Sequence, residues 1–339
     1  MKVVQALTEG HPDKVCDQIA DALVDEYLRR DPQSRIDLSV MGSHGMLTIG
    51  GEVCSDADFD AGALAKKVYA EIGYTDEIEP FVNIDIHPHD PNHMHRGSDG
   101  TVFVNGYATR ETREMLPLPV VLVNALARRL DEMRKSIPGF DWMRPDGKVQ
   151  LVMSGAVVKV VTVLLQHEES VDHSTLQQVI LDRVVAMTVG STDGAQVNIN
   201  PIGCFSAGGL GHSTGSSNRK VATDTYGGLI PFGSGGLSGK DPGRAERAGA
   251  YMTRYAARQL VKQGLADNVI IRAAYSLGKA EPVALEAKSG DGKDLTEELK
   301  KQFDFRPAAI VERLNLRRPI YRATSNYGHF GKEGLPWEE

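Results

Sequence analysis

Apolar residues recur at helical spacing at Val15, Ile19, Leu23, Val24, Tyr27 and Leu28 before Arg29, Arg30 and Pro32 close the pattern, which predicts a helix entered from a turn. Further helices are expected through Phe59, Leu64, Val68 and Ile72, ending at Gly73, and through Leu122, Leu126, Leu130 and Met133. Residues 176–187 and 244–263 read as two more, the second closed by Gly264. Strand-like runs fall at 46–53, 150–153, 157–166, 269–277 and 282–287. Strands and helices alternate with no low-complexity linker, so the expected class is α/β (α+β). Three strand-then-helix blocks are visible without a convincing sequence repeat. Turn-forming residues gather near 88–100 and 203–211, which places the seams there.

The chain has 339 residues, more than one ordinary core, so two or three units are expected. Its 38 Lys and Arg against 45 Asp and Glu give a formal charge of −7, which excludes a nonspecific nucleic-acid binder. Basic groups in a site must therefore be placed locally. Cys16, Cys54 and Cys204 are odd in number and lack metal-ligand spacing, as reduced thiols in a cytosol do. The first seven residues are too short for a signal-peptide core, and no apolar run reaches membrane-spanning length. A cytoplasmic protein with no membrane partner is expected.

Ahead of the first helix, Thr8-Glu-Gly-His-Pro-Asp-Lys14 packs an imidazole, two carboxylates and an ammonium into one turn. Pro12 suits the first helical turn, and Asp13 near the positive end of the macrodipole would stay ionised and free to hold a divalent cation. An ordinary helix cap with a solvated His11 is the competing reading. Gly233-Ser-Gly-Gly-Leu-Ser-Gly-Lys-Asp241 precedes a helix and resembles a phosphate cradle, though Asp241 after Lys240 excludes a Walker loop. A flexible turn accounts for its glycines equally simply. Arg219-Lys220 and Asp146-Gly147-Lys148 are two more cationic clusters beside glycines, and three such clusters in an acidic chain point to local polyanion binding. Asp13, Asp99, Asp224, Asp241 and Glu246 are candidate oxygen ligands for magnesium. The tract His87-Pro-His-Asp-Pro-Asn-His-Met-His95 is histidine-rich, but two prolines and uneven spacing favour an irregular loop over a metal site.

In order along the chain, Glu9-Gly-His-Pro-Asp-Lys14, Gly106-Tyr-Ala-Thr109, Trp142-Met-Arg-Pro-Asp-Gly-Lys148, Asp224-Thr-Tyr-Gly-Gly228, Ser238-Gly-Lys-Asp-Pro242 and Tyr327-Gly-His-Phe-Gly331 resemble the methionine adenosyltransferase (S-adenosylmethionine synthetase) family. The resemblance implies three structurally similar strand-and-helix units in pseudo-threefold arrangement with intertwined connections, which the seams place at 1–88, 95–206 and 207–339. It also implies a homodimer with active sites between subunits, in some members paired into a homotetramer. The implied reaction is attack of the sulfur of L-methionine on the ribose C5′ of ATP, then cleavage of the displaced tripolyphosphate to pyrophosphate and phosphate.

Carried over onto matching positions, the resemblance makes His11, Lys148, Arg219, Lys220 and Lys240 catalytic, with His11 at the leaving C5′ oxygen and the four cations around the polyphosphate. ATP contacts would include Asp99, Asp146, Phe205 stacked on adenine, and Gly236. Asp13 and Glu246 would hold Mg2+, two ions per site. Methionine would meet Glu52, His89, Ser213 and Arg244. Several of these depart from the family pattern: His89 stands for a glutamine, Ser213 for an aspartate, Arg244 for a lysine, Cys204 for an arginine and Glu246 for an aspartate. Ser39 stands for a potassium-binding glutamate, which puts K+ dependence in doubt, and residues 92–99 are shorter than the usual mobile loop. ATP handling is expected to be retained while the sulfur pocket, its lid and the cation site are rebuilt. Alternatives are the same chemistry on a methionine analogue, or a noncatalytic ATP-binding homologue.

Overall fold

A computed structural model describes residues 1–89 and 98–339. The chain runs β1 (Lys2–Leu7), α1 (Pro12–Arg30), β2 (Arg35–Ser43), β3 (Met46–Cys54), α2 (Ala61–Ile72), β4 (Glu79–His87), β5 (Val102–Thr109) and α3 (Leu118–Ser136). It continues through β6 (Met143–Ser154), β7 (Val157–His167), α4 (His173–Ile180), a π-helical turn (Leu181–Val185), α5 (Ala186–Val189), β8 (Gln196–Ile199), β9 (Thr214–Ser216) and α6 (Val221–Tyr226). The last part holds α7 (Ala245–Lys262), β10 (Asn268–Tyr275), β11 (Ala284–Ser289), α8 (Thr296–Gln302) and α9 (Pro307–Arg313).

These strands build three sheets, ordered β4-β3-β2-β9, β1-β6-β7-β8 and β11-β10-β5. Each takes one strand from a distant part of the chain. β1 lies antiparallel on β6, with Leu7 opposite Lys148, and β5 lies on β10, with Thr109 opposite Asn268. β9 lies on β2, with Met41 opposite Ser216. The mixed α/β class expected from the alternation is observed.

In the first sheet, Ile36, Leu38 and Val40 on β2 and Leu47, Ile49 and Val53 on β3 are buried together with Val15, Ile19 and Leu23 of α1. Because side chains alternate across a sheet, the other face carries Asp37, Ser39 and Met41 of β2, opposite Glu52, Gly50 and Thr48 of β3, which pair in turn with Asp85, Asn83 and Phe81 of β4. That face is open. Met41, Met46 and Phe81 on it are each more than half exposed.

Two expected elements differ. The strand expected at 150–153 begins at Met143, since the Pro145–Gly147 stretch ahead of it is carried through the sheet on a bulge. The continuous helix expected at 176–187 is interrupted by the π-turn at Leu181–Val185. His87 closes β4 rather than sitting in an irregular loop, and His93 and His95 of that tract lie outside the described residues. Among the described residues no helix is long and apolar enough to cross a membrane.

Candidate active site

Register sets the site. Pairing of Leu7 with Lys148 delivers the turn at 8–11 beside Asp146 and Lys148, and Thr8 locks it by donating from Oγ1 to the Pro145 carbonyl at 2.7 Å. Pairing of Met41 with Ser216 delivers Arg219 and Lys220 to the N-terminus of α1. Gly215 permits this approach, because a Cβ there would stand 2.2 Å from the Pro12 carbonyl oxygen. The result is an open cleft of about 280 Å³ walled by His11, Asp13, Asp146, Lys148, Phe205, Ser213, Arg219 and Lys220 among others.

Asp13 is the hub of this cleft. Its carboxylate accepts the Ser216 N–H at 3.0 Å, lies 3.4 Å from Arg219 Nη1 and 3.1 Å from Lys220 Nζ, and is almost fully buried. His11 is the helix cap, its Nδ1 accepting the Asp13 N–H at 3.2 Å. That bond leaves the ring proton on Nε2. Burial, opposed by Asp13 and reinforced by Lys220, Lys148 and Lys14, pushes the imidazole down to about 4, so at neutral pH it is an uncharged donor. Lys148 is shifted down by burial and then by Lys220. Burial lifts the Asp146 carboxyl to about 6 despite amide bonds from Gly209 and Gly147, with Asp13 adding to the rise.

A second cluster centres on the start of α7. Arg244 lies 3.1 Å from Asp99, 3.4 Å from Asp37 and 3.7 Å from Asp241, while Lys240 is paired with Glu246. The second carboxylate oxygen of Glu246, Oε2, is buried with no hydrogen-bond partner. Asp37, which adjoins this cluster, and Met41, which adjoins Ser216, are four residues apart on β2, a separation of roughly 14 Å. Asp13 and Glu246 are thus not brought together within the chain. Among the described residues no group of three His, Cys, Asp or Glu is placed to hold a metal.

This chain is matched along its length by S-adenosylmethionine synthetase domains: the N-terminal domain at 2–87, the central domain at 95–205 and the C-terminal domain at 207–339. It is similar to an S-adenosylmethionine synthase of Aquifex aeolicus, 34% identical over 100% of this chain and 96% of that protein. One of Thermus thermophilus is 38% identical over 99% and 94%, and one of Pseudothermotoga lettingae 37% over 98% and 95%. The chain belongs to the S-adenosylmethionine synthetase family.

Within this synthetase the residues singled out in the sequence divide by place differently from the expected division by substrate. Ser213, assigned to methionine, stands in the cleft with His11 and Phe205. Lys240, Asp99 and Glu246, assigned to ATP and metal, stand with Arg244, assigned to methionine. Glu52 and Ser39 sit on the open sheet face. His89 is bonded to Asp31 through Nε2 at 2.7 Å.

In the glycine loop at 233–241, three backbone amides are engaged within the chain. Asn218 Oδ1 accepts the N–H groups of Leu237 and Ser238 at 2.7 and 2.9 Å, and Asp21 accepts that of Gly239 at 3.0 Å. Gly236 is glycine because Asn218 lies against it; a Cβ would stand 2.3 Å from Asn218 Cγ. Two carboxylates offered as magnesium ligands are structural. Asp224 is ion-paired with Lys14 at 2.5 Å, and Asp241 accepts the Ile36 and Gly243 amides at 2.8 and 2.7 Å. Lys14 itself, held also by Asp17 at 2.9 Å and fully buried, has no charge to spare for a polyanion. Asn218 was missed as the organiser of the Arg219-Lys220 turn, with φ of +65° and its N–H on Asp17 at 2.7 Å. Only its place before the basic pair hinted at that.

Proposed function

We propose that the chain transfers the adenosyl group of ATP to the sulfur of L-methionine and then cleaves the displaced tripolyphosphate to pyrophosphate and phosphate. The observation that carries this reading is the cleft, where an uncharged His11 with its Nε2–H free faces the same space as Lys148, Arg219 and Lys220. As sulfur attacks C5′, the C5′–O bond breaks and negative charge grows on the departing oxygen. His11 would donate to that oxygen, and the three cations would disperse the charge spreading into the phosphates. Phe205, on the cleft wall, offers a flat face for adenine. Arg219 and Lys220, now engaged by Asp13, would turn to the polyphosphate when it enters.

Asp13 and Glu246 would hold Mg2+, which supplies charge neutralisation at the phosphates. The unpartnered Glu246 Oε2 fits a cation. Their separation within the chain, and the open face with exposed Met41, Met46 and Phe81, support a homodimer in which the cleft of one subunit is completed by the α7 cluster of the other. Glu52 and Asp37 on that face would then approach the partner's site.

Purified protein incubated with ATP, methionine and magnesium is expected to yield S-adenosylmethionine, pyrophosphate and phosphate in separated products. Folded protein that gives no S-adenosylmethionine would overturn the reading. A second reading rests on Ser213, which gives the cleft a hydroxyl where the family has an aspartate, and favours a sulfur substrate other than methionine. A substrate panel in which an analogue outcompetes methionine would establish it, and a clear preference for methionine would remove it.

A further inference from the structure

The cleft wall that carries Phe205 belongs to a segment outside any sheet. β8 pairs with β7 only as far as Ile199, opposite Val163. Asn200 then extends that edge with its side chain, accepting the Leu165 N–H at Oδ1 and donating from Nδ2 to the Leu165 carbonyl, at 2.8 Å each. Beyond it Pro201, Ile202 and Cys204 are exposed. The chain rejoins β7 at Phe205, and there one residue takes both of its backbone polar groups. The His167 N–H donates to the Phe205 carbonyl at 2.9 Å, and the Phe205 N–H donates to His167 Nε2 at 3.2 Å. The other ring nitrogen, Nδ1, donates to the Glu168 carbonyl at 2.8 Å, so the ring carries its proton on Nδ1 and accepts at Nε2. At 2% exposure, His167 is fixed by packing as well.

The preceding residue ties the same segment to the other wall. Gln166 donates from Nε2 to the Ser206 carbonyl at 2.9 Å and accepts the Asp146 N–H at 3.3 Å. Asp146 Oδ2 accepts the Gly209 N–H at 2.9 Å in turn. The end of β7 therefore sets Phe205 relative to Asp146 and Lys148. A ring whose backbone is held at both N–H and C=O presents its face in a fixed place, so less conformational freedom is lost when a base stacks on it.

We propose that His167 is the positioning residue for adenine, acting through its two bonds to Phe205. This rests on the reading of the cleft as an ATP site. His167 is not part of the cleft wall and would not touch the nucleotide. Without the Nε2 acceptor the Phe205 N–H is left unpartnered next to an exposed stretch of chain, and the stacking face is no longer pre-organised. The polyphosphate would be held by Lys148, Arg219 and Lys220, so its binding is independent of His167.

The test titrates the full chain, with magnesium, against tripolyphosphate and against the nonhydrolysable ATP analogue with an imido bridge between its β- and γ-phosphates. His167→Leu is expected to weaken the analogue about 10-fold and to leave tripolyphosphate at the parental affinity, whereas a loosened fold would weaken both. His167→Gln, whose Oε1 can accept the Phe205 N–H, is expected to recover most of the loss. In a Phe205→Ala background His167→Leu is expected to add nothing, since the ring through which it acts is gone. In turnover, His167→Leu should raise KM for ATP while kcat and KM for methionine keep their parental values. The proposal is overturned if His167→Leu binds the analogue as tightly as the parent, if tripolyphosphate weakens equally, or if the two substitutions add in full. A parent that binds the analogue but makes no S-adenosylmethionine would sink the transfer reading alone, and the titrations would still decide the role of His167. A parent that binds no analogue would overturn both.

Discussion

His11 and Lys14 stand three residues apart in one motif and do opposite work. His11 keeps an uncharged ring with its free N–H toward the cleft, so its replacement by Ala is expected to slow adenosyl transfer by about 10²- to 10⁴-fold while losing only the roughly 1 kcal/mol of a helix cap, compared by turnover and thermal melting. Lys14 is buried between Asp17 and Asp224, and Lys14→Met would strand two carboxylates. That variant is expected to lose about 3–5 kcal/mol in denaturant unfolding, whereas Lys220→Ala, at a partly exposed position on the cleft, should lose activity without comparable loss of stability. The low value of His11 also has a pH signature. Between 6.5 and about 4 the unfolded ring binds a proton that the folded ring refuses, so its contribution is present above 6.5 and is lost as pH falls through that window. The raised carboxyl of Asp146 works the other way, binding its proton in the folded state first as pH falls through about 6. His11→Ala should therefore lose less stability than the parent between these limits, read as the difference in melting temperature against pH.

At the scale of elements, the turn carrying Arg219 and Lys220 depends on one amide side chain. Asn218 joins it to the loop at 233–241 by three bonds, two accepted from Leu237 and Ser238 and one donated to the Ser238 carbonyl at 2.9 Å. Asn218→Gly keeps the left-handed backbone and loses the bonds, at an expected cost of about 1–3 kcal/mol. Asn218→Ala loses both and should be worse by about 1 kcal/mol, measured by chemical denaturation. The helices that hold the site were legible because α1, α2, α3 and α7 carry apolar residues at a 3.6-residue period, even though α1 and α7 are buried nearly all round. Much of the sheet was not. β4 is exposed on both faces, so no alternation marks it, and β9 is only three residues long. His11, Asp13, Lys148, Arg219 and Lys220 were legible through motif resemblance, and the cleft gathers them. In the loop at 233–241 the sequence shows the glycines but not the Asn218 side chain that lies against Gly236.

On the scale of the molecule, the separation of the Asp13 and Glu246 clusters makes the proposed site a shared one. Mixing His11→Ala with Lys240→Met subunits should restore activity, since each heterodimer has one undamaged site. Random reassociation predicts about a quarter of the parental rate, and no recovery after verified subunit exchange would remove the shared arrangement. Phe81→Asp on the open face is expected to yield a smaller species by sedimentation together with loss of turnover. The same sheets have a consequence for biosynthesis. Lys2 of β1 pairs with Met153, and Asn268 of β10 pairs with Thr109, so the strands donated between units find partners only well over a hundred residues later. At typical translation rates β1 waits on the order of ten seconds after emerging before its neighbour leaves the ribosome. Through that interval its hydrogen-bonding edge is open, and the nascent chain is a natural client for a holding chaperone until β6 arrives.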